Sequence, residues 1–443
     1  MPFIPHTPED VREMLAVIGA GSVEDLFAEI GPDMRPKRFE LPKGRSEMAV
    51  VKHMEHLSAR NRSDLVCFIG AGVYDHYIPH AVDALTSRGE FYTAYTPYQP
   101  EASQGTLQAI FEYQTAVARL LGMDCANASV YDGGTALFEA IMMAVRATRR
   151  TRVVVSGTVN PIYRTMLASY TCNLNLEFVN VPGRGAETDM QALKAAVDDR
   201  TAAVIVQNPN FFGSIEDCTD LFAHAKSKKA LSIVSAYPVM QAILKTPGAM
   251  GADVAVAEGQ SLGMPMSFGG PYLGIMTCTK DMVRQMPGRI VGRTKDTQGR
   301  TGYVLTLQAR EQHIRRQKAT SNICSNQALC AMRALVHMCL LGDEGLRRTA
   351  ALCVERSHYA AKRLTDLPGV ELLNKGSFGN EFAVRLPMSA LEAIDKLSAK
   401  GFVPGFPLGR YYEGMDDALL VAVTERRTRE EIGVMAELLG GIL

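Results

Sequence analysis

The sequence has no apolar run that approaches the ~20 residues needed to cross a bilayer. Its first ten residues, MPFIPHTPED, lack the basic and long apolar segments of a secretory signal. The formal net charge is zero, which argues against general attraction to nucleic acids or to membrane surfaces. We therefore expect a cytoplasmic protein that binds neither nucleic acid nor membranes.

Metal and disulfide signatures are also lacking. The nine cysteines are scattered, odd in number and never spaced as Cys-x-x-Cys, so we expect them to be reduced and mostly buried. His53 and His56 lie three residues apart without a carboxylate in register. His76 and His80 are separated by Pro79, which argues against a helical pair. The sequence therefore predicts no metal site.

What the chain does contain is typical of an ordinary globular protein. It has 443 residues, 47% hydrophobic and 21% charged, which is enough for two or three domains with a large core. Apolar strands alternate with helical stretches through the middle of the chain, which predicts a mainly parallel sheet covered on both faces. The predicted strands are Val153–Val155, Leu176–Val179, Ala203–Val206, Ser232–Val234 and Val254–Val256.

Three domains follow from this pattern: an N-terminal helical arm with linker over residues 1–62, a large α/β domain over 63–325, and a smaller α/β domain over 326–443. Capping residues predict helices after Thr7, Ser46 and Ser103. A long helix through Leu341 is expected to be capped by Asn322 or Ser325.

Polar segments follow the predicted strands at their carboxyl ends, where open α/β sheets bind ligands. They are Gln207–Asn210 and Ser235–Pro238. Asp132–Thr135 contains a glycine pair at the start of a helix, a place where backbone N–H groups can hold a phosphate.

The segment from Phe91 to Gly105 has neither helical nor strand periodicity. It holds Tyr92, Tyr95 and Tyr98 among prolines, which restrict the backbone and fix where the side chains point. One interpretation is that this tyrosine loop presents phenols to a ligand. The other is a rigid connector whose tyrosines pack on the core with their hydroxyls in water.

Charge is unevenly distributed despite the balanced total. Residues 281–318 hold nine lysines or arginines and three acids. Such a segment suits an anionic ligand or an acidic protein partner, although a solvated surface is the commoner explanation.

Several motifs closely resemble the glycine decarboxylase P-protein of the glycine cleavage system. They are Tyr95–Gly105, Asp124–Ser129, Met286–Gly292, Arg310–Arg316 and Lys318–Cys324. The chain is about half as long as a single-chain P-protein, and Ile4–Thr7 resembles the start of subunit 1, the N-terminal-half subunit of the two-subunit form. The resemblance implies the fold of aspartate aminotransferase, that is, a pyridoxal-phosphate (PLP) transferase of fold type I, and a role in an oxidoreductase.

Two groups that this cofactor needs are missing at the matching positions. The family's second, catalytic half carries the aldimine lysine after a histidine, and this pair falls on about Gln260 and Ser261 here. No lysine occurs between Lys245 and Lys280. The acid that holds the pyridine nitrogen falls on Ser235, which cannot do so. We therefore expect this chain to bind no cofactor covalently and to be inactive alone.

The resemblance implies an active site between subunits, to which this chain lends residues. Tyr95, Thr96 and Tyr98 are the candidates for positioning glycine in the partner's site. The candidates for contact with substrate, cofactor phosphate or an acidic carrier are Arg289, Arg293, Lys318, Ser321 and Asn322. Interface packing and salt bridges between subunits are the structural alternatives for all of them.

The partners implied are subunit 2, which would bind PLP, and the lipoylated H-protein, with a functional link to the T- and L-proteins. Two copies of each subunit are expected. Glycine would lose carbon dioxide, and its aminomethyl group would pass to the lipoyl arm. Two rival hypotheses remain open: a self-contained PLP enzyme that uses a displaced lysine, with Lys318 the best candidate, and a scaffold that contributes no pocket residue.

Overall fold

The structure of the protein is a computed structural model that describes residues 5–36, 40–323 and 325–443, apart from the side chain of Phe268. Ile4, the first residue of one motif above, and Cys324, the last residue of another, lie outside the described residues. The chain divides into two compact units, Met1–Ser63 and Asp64–Leu443. The boundary predicted at residue 325 stays a prediction.

The N-terminal unit contains two helices, α1 (Pro8–Ile18) and α2 (Glu47–Ser58). Thr7 caps α1 in a capping box with Asp10, and Ser46 caps α2 by accepting from the Ala49 N–H. Both predicted caps are confirmed. Short 3-10 helices lie between them at Val23–Phe27 and Pro32–Met34.

The helices of the second unit are α3 (His80–Thr86), α4 (Gly89–Tyr92), α5 (Gln104–Leu120), α6 (Gly133–Thr148), α7 (Pro161–Thr171), α8 (Met190–Ala196), α9 (Thr219–Ser227), α10 (Pro247–Met250), α11 (Gln312–Arg315), α12 (Ala328–Thr365), α13 (Ala390–Ser398) and α14 (Arg429–Gly440). Its strands are β1 (Val66–Cys67), β2 (Cys125–Ala126), β3 (Arg152–Ser156), β4 (Glu177–Val181), β5 (Thr201–Asn208), β6 (Leu231–Ala236), β7 (Val254–Glu258), β8 (Gly274–Cys278), β9 (Ile290–Lys295), β10 (Thr301–Thr306), β11 (Glu371–Leu372), β12 (Glu381–Arg385), β13 (Phe402–Val403), β14 (Phe406–Pro407) and β15 (Ala418–Ala422). Within the described parts of the chain, none of the helices combines the length and apolar character of a transmembrane span.

A seven-stranded sheet forms the centre of this unit, in the order β2-β8-β7-β6-β5-β3-β4. The run from β7 to β4 is parallel, and β8 is antiparallel to both β7 and β2. Along β5, Val204 and Val206 pack into the core on one face, and Ala203 and Ile205 pack on the other. Because both faces are buried, the strands are apolar almost throughout, as predicted. The carboxyl ends of β5, β6 and β7 meet at one edge.

A second, antiparallel sheet has the order β11-β12-β15-β14 and packs against α13, α14 and the end of α12. The predicted strands at Phe382–Val384 and Leu420–Val423 fall in β12 and β15. The predicted caps of α12 are wrong: its N-cap is Gln327, which makes no side-chain cap bond. The predicted end at Leu341 is confirmed, because Gly342, at φ +61°, is non-helical and divides α12 into two helical segments across a kink.

Candidate functional site

The tyrosine loop presents its phenols outward in this chain. Regular structure ends at Tyr92 and resumes at Gln104, so the predicted loop is slightly shorter than residues 91–105. Pro97 is buried and anchors the loop, whereas the side chains of Tyr95 and Tyr98 are 76% and 51% exposed. The loop therefore holds phenols at the surface of this chain, which favours presentation over packing on the chain's own core.

Arg289 lies directly behind this loop and is only 8% exposed. Its Nη2 donates to the Tyr98 hydroxyl at 3.4 Å, and its guanidinium carbon lies 5.7 Å from the centre of the same ring. Its Nη1 is 3.5 Å from Asn326 Oδ1, and its Nε is 4.0 Å from a carboxylate oxygen of Glu311. A buried cation thus joins three of the motifs: the tyrosine loop, the segment at 286–292 and the segment at 310–316.

Two small cavities meet at Arg289, Ser325 and Asn326, which line both of them. One has a volume of about 60 Å³ and is lined on the loop side by Tyr95, Thr96 and Pro97. The other is lined by Pro287, Gly288, Arg310, Glu311, Thr320, Ser321 and Ile323. We call this region the arginine–tyrosine site. Tyr95, Thr96, Tyr98, Arg289 and Ser321, all singled out from the sequence, come together here.

Two side chains of this site are held internally. Arg310 donates to the carbonyls of Gly288 at 3.0 Å and Leu307 at 3.0 Å, and burial lowers the pKa of its guanidinium. Ser321 donates to Glu139 of α6 at 2.7 Å, and burial raises the pKa of that carboxyl group. Ser321 therefore anchors its segment to α6 and is less available to a ligand than the sequence suggested.

The other candidates lie apart. Arg293 is on β9 with its side chain exposed, and Lys318 and Asn322 are exposed as well. Among the described residues that line the two cavities, none of these three appears. Their positions suit contact with a partner at the surface, and they do not suit direct contact with a ligand bound beside Arg289.

A larger cavity of about 450 Å³ lies at the carboxyl edge of the central sheet, where the sequence predicts ligand binding. It is lined by Ala71, Gly72, Val73, Tyr131, Asp132, Gly134, Asn160, Ile162, Tyr163, Met166, Glu258, Gly269, Pro271, Tyr272 and Gln327. A narrower space adjoins it and is lined by Tyr74, Gln207, Ser235 and Tyr237 among others. We call the two together the sheet-edge cavity. Among the described residues, none of its lining side chains is a lysine or arginine.

The residues of the sheet-edge cavity do not fit PLP. Ser235, the next-to-last residue of β6, stands where the resemblance places the acid and is 5% exposed, and Ser261, at about the position where the resemblance places the lysine, is 3% exposed. A serine hydroxyl can neither form the aldimine nor hold a charged pyridine nitrogen. The displaced-lysine hypothesis finds no support here either, because Lys318 does not line this cavity.

The helix N-terminus that could hold a phosphate is also occupied, by a side chain of this chain. The helix predicted directly after Asp132–Thr135 is confirmed as α6, which begins earlier, at Gly133, and the Gly133 N–H donates to Glu258 Oε2 at 2.9 Å. Glu258 Oε1 accepts from the N–H groups of Gln260 and Leu273 at 3.0 and 3.2 Å. Asp132 caps the same helix through the Thr135 N–H at 2.8 Å. Burial raises the pKa of Glu258 to about 7, although these three N–H groups oppose the rise.

A hydrogen-bonded network fills the space next to Ser261. Gln260 accepts from the Tyr74 N–H at 2.8 Å and donates to the Tyr74 carbonyl at 3.0 Å. The Tyr74 hydroxyl donates to Glu381 at 2.8 Å, and Glu381 also accepts from the Ala71 N–H at 2.7 Å. Burial raises the pKa of Glu381 to about 7. The polar groups next to Ser261 are therefore bonded to one another and to the backbone of this chain.

The sequence reasoning missed Glu258 and Glu381. The available signal was a carboxylate directly adjoining an apolar strand, at the end of β7 and at the start of β12. His76 was weighed only as a metal ligand with His80. The structure instead joins its Nδ1 to Glu425 at 2.7 Å and its Nε2 to the Tyr237 hydroxyl.

Known proteins resemble this chain over its whole length. The family model of the glycine cleavage system P-protein matches residues 1–439. A protein of Nitratidesulfovibrio vulgaris named probable glycine dehydrogenase (decarboxylating) subunit 1 is 72% identical over all of both chains. A protein of the same name from Geotalea uraniireducens is 54% identical, again over all of both chains.

Among solved structures, the glycine decarboxylase (P-protein) of the glycine cleavage system in inhibitor-bound form matches with a TM-score of 0.92 and 43% identity over all of both chains. The Lactobacillus brevis glutamate decarboxylase matches with a TM-score of 0.69 at 15% identity, over 92% of this chain and 94% of that one, and shows the fold alone. The predicted PLP-transferase fold of type I is confirmed. This chain belongs to the P-protein family of the glycine cleavage system.

Proposed function

We propose that this chain is the subunit of glycine dehydrogenase (decarboxylating) that binds no PLP and completes the active site of a PLP-bearing partner subunit. The assembly, with two copies of each subunit, decarboxylates glycine and passes the aminomethyl group to the lipoyl arm of the H-protein. Full-length similarity to proteins named subunit 1 supports the existence of a second subunit.

The observation that carries this proposal is the loss of the cofactor position in an otherwise intact fold. Serines stand at the lysine and acid positions, and the Glu258 carboxylate occupies the helix N-terminus that would receive the phosphate. The P-protein structure in inhibitor-bound form shares the fold of this chain. A chain that keeps the fold without these groups has to act through another chain that has them.

The contribution of this chain is the arginine–tyrosine site. The exposed phenols of Tyr95 and Tyr98 and the buried guanidinium of Arg289 can orient an anionic substrate by hydrogen bonds and charge. Glycine at neutral pH carries a carboxylate, which suits this site. In this proposal the cofactor and its chemistry belong to the partner, and the loop adds its exposed phenols to the partner's site.

Reconstitution tests this proposal. The chain, its partner subunit and lipoylated H-protein are assayed alone and mixed for release of labelled carbon dioxide from glycine. We expect no activity from this chain alone and full activity from the mixture. Activity of the partner and H-protein that is unchanged by adding this chain would contradict the proposal.

Substitutions in the tyrosine loop separate a pocket role from a scaffold role. Tyr95→Phe is expected to lower kcat/KM for glycine while the subunits still assemble, as measured by size-exclusion chromatography with light scattering. Tyr92→Phe is the matched control, because Tyr92, the last residue of α4 just before the loop, is 68% exposed but lines neither cavity of the described site. Equal, full activity of both variants would favour a scaffold.

A further inference from the structure

The sheet-edge cavity keeps the size of a ligand site while its anion-binding end is closed. The cavity has about 450 Å³, and its lining includes Tyr131, Tyr163 and Tyr272. Gly134 also lines it, at the N-terminus of α6, a 16-residue helix whose first N–H groups would attract an anion. The first of these donors, the Gly133 N–H, is already engaged by a carboxylate of the same chain.

Glu258 occupies that position in the manner of a bound anion. Its two oxygens accept three backbone N–H groups, from the first residue of α6 and from Gln260 and Leu273. Its side chain is buried, with 8% of the residue exposed. Three convergent backbone donors on one oxyanion are the arrangement by which many proteins hold a phosphate. Glu258 reproduces this arrangement from within the chain.

Steric fit points the same way. A Cβ added to Gly133 would lie 2.6 Å from the Tyr163 hydroxyl and 2.9 Å from the Glu258 Cβ. The end of β7 therefore approaches the helix start so closely that only glycine fits between them. This close approach places the Glu258 carboxylate on the Gly133 N–H, where a phosphate oxygen would otherwise bind.

Charge adds to the exclusion. Asp132 caps the same helix turn and also lines the cavity, so two carboxylates face any entering group. A phosphate ester entering this cavity would meet like charges with no cation among the described lining residues to offset them.

We propose that Glu258 is an internal counter-ion of the α6 N-terminus that takes the phosphate position and excludes PLP and other phosphate esters from this chain. The inference deepens the proposed function, on which it rests for its biological sense: Glu258 confines the cofactor to the partner subunit. Loss of the lysine alone would leave a cavity that still captured the cofactor non-covalently. Because Glu258 excludes the cofactor, this chain does not compete with the partner subunit for it.

The test measures binding of inorganic phosphate and of PLP to the full chain by calorimetry, together with the rise in Tm that each ligand causes. The wild type is expected to bind neither. Glu258→Ala frees three N–H donors and the space of the side chain. We expect it to bind phosphate at least about tenfold more tightly than the wild type, because a single hydrogen bond to a charged group contributes that much.

Glu258→Ser serves as a second variant, because its short hydroxyl keeps a partner for one N–H and still leaves room for an anion. Circular dichroism shows whether each variant is folded, and either folded variant decides the question. Glu216→Gln is the matched control: Glu216 is a partly buried carboxylate that accepts a backbone N–H from Thr188 at 2.6 Å but lies outside the cavity. It removes the same charge and should gain no binding.

A crystal structure of Glu258→Ala with phosphate should show the anion on the Gly133 N–H. Phosphate binding by the wild type in this cavity would overturn the proposal, as would folded Glu258 variants that gain nothing, or an equal gain in Glu216→Gln. These measurements use the chain alone, so they are independent of whether it supports glycine decarboxylation with its partner. Failure of the inference and failure of the proposed function are thus distinguishable.

Discussion

The sheet-edge cavity and the arginine–tyrosine site differ in how their polar groups are used. In the first and directly beside it, Glu258, Gln260 and Glu381 are bonded to backbone groups of the same chain. In the second, Arg289 is buried but Tyr95 and Tyr98 reach outward from the surface. The polar groups of the first region are thus bonded within the chain, whereas the phenols of the second are exposed and can contact a partner subunit.

We therefore expect substitutions in the two regions to have different effects. Changes in the sheet-edge cavity should alter stability and leave the activity of the assembled enzyme intact. Changes in the arginine–tyrosine site should alter activity and leave most of the stability intact. Each experiment below tests this difference between the two regions.

The largest effect concerns Glu381 and pH. Its pKa is raised from 4.5 to about 7 in the folded chain by burial, so its contribution to stability is fully present below pH 4.5 and is lost as pH rises through 7. Relative to the wild type, Glu381→Gln should gain about 3 kcal/mol of unfolding free energy between pH 5 and pH 8.5.

Urea unfolding of both proteins at the two pH values gives this difference directly. Glu371→Gln on β11 is the control, because that side chain is exposed and its replacement should leave the pH profile of the wild type unchanged. A Glu381→Gln profile parallel to that of the wild type would mean that Glu381 does not titrate in this range.

Arg289→Ala should have the largest effect on activity. It removes a buried guanidinium that contacts Tyr98, Asn326 and Glu311. We expect kcat/KM for glycine in the reconstituted enzyme to fall about 100-fold, the upper range for hydrogen bonds to a charged group.

Arg289→Lys keeps the charge and should recover part of the loss, whereas exposed Arg293→Ala, four residues away, should cost little. Assembly is followed by light scattering, so that a folding defect is not mistaken for a lost contact. Equal effects of Arg289→Ala and Arg293→Ala would remove the distinction between the site and its surroundings.

Tyr98→Phe should lower kcat/KM by about tenfold, because it removes one hydroxyl contact with the charged Arg289 and keeps the ring over the guanidinium. Steady-state kinetics with glycine measure this loss, and Tyr92→Phe, just before the loop, is again the control. A loss in Tyr98→Phe accompanied by dissociation of the subunits would assign the hydroxyl to the interface.

Lys318→Ala should have the smallest effect. The side chain is exposed and lines none of the cavities described above, so we expect a rise of about twofold in KM for the acidic carrier at low salt and no change at high salt. The measurement is KM for lipoylated H-protein across ionic strength. A large fall in kcat would instead restore the displaced-lysine hypothesis.

Much of the fold was predictable because it depends on local patterns. The five predicted strands fall in β3 to β7, since a sheet buried on both faces leaves apolar runs in the sequence. The start of α12 was not predictable in the same way. Good cap residues, Asn322 and Ser325, precede it, yet the helix begins later, at Ala328. Asn326, just before it, donates to the Ala128 carbonyl and to Ser129, contacts that the sequence does not reveal.

The site was predictable only in part, for a physical reason. The tyrosine loop is visible as an unusual local composition, but its pairing with Arg289 spans 191 positions of sequence. The role of Glu258 depends on Gly133, 125 positions away, and that of Glu381 on Ala71, 310 positions away. A sequence shows that a carboxylate adjoins a buried strand, but not which N–H groups the fold brings to it.

The proposed function requires that the partner subunit, and not this chain, binds the cofactor. We would reduce the active reconstituted complex with borohydride and identify by mass spectrometry which chain carries a pyridoxyl-lysine. We expect one modified lysine on the partner subunit and none on this chain. A pyridoxyl group on any lysine of this chain, lost together with activity when that lysine is replaced, would contradict it.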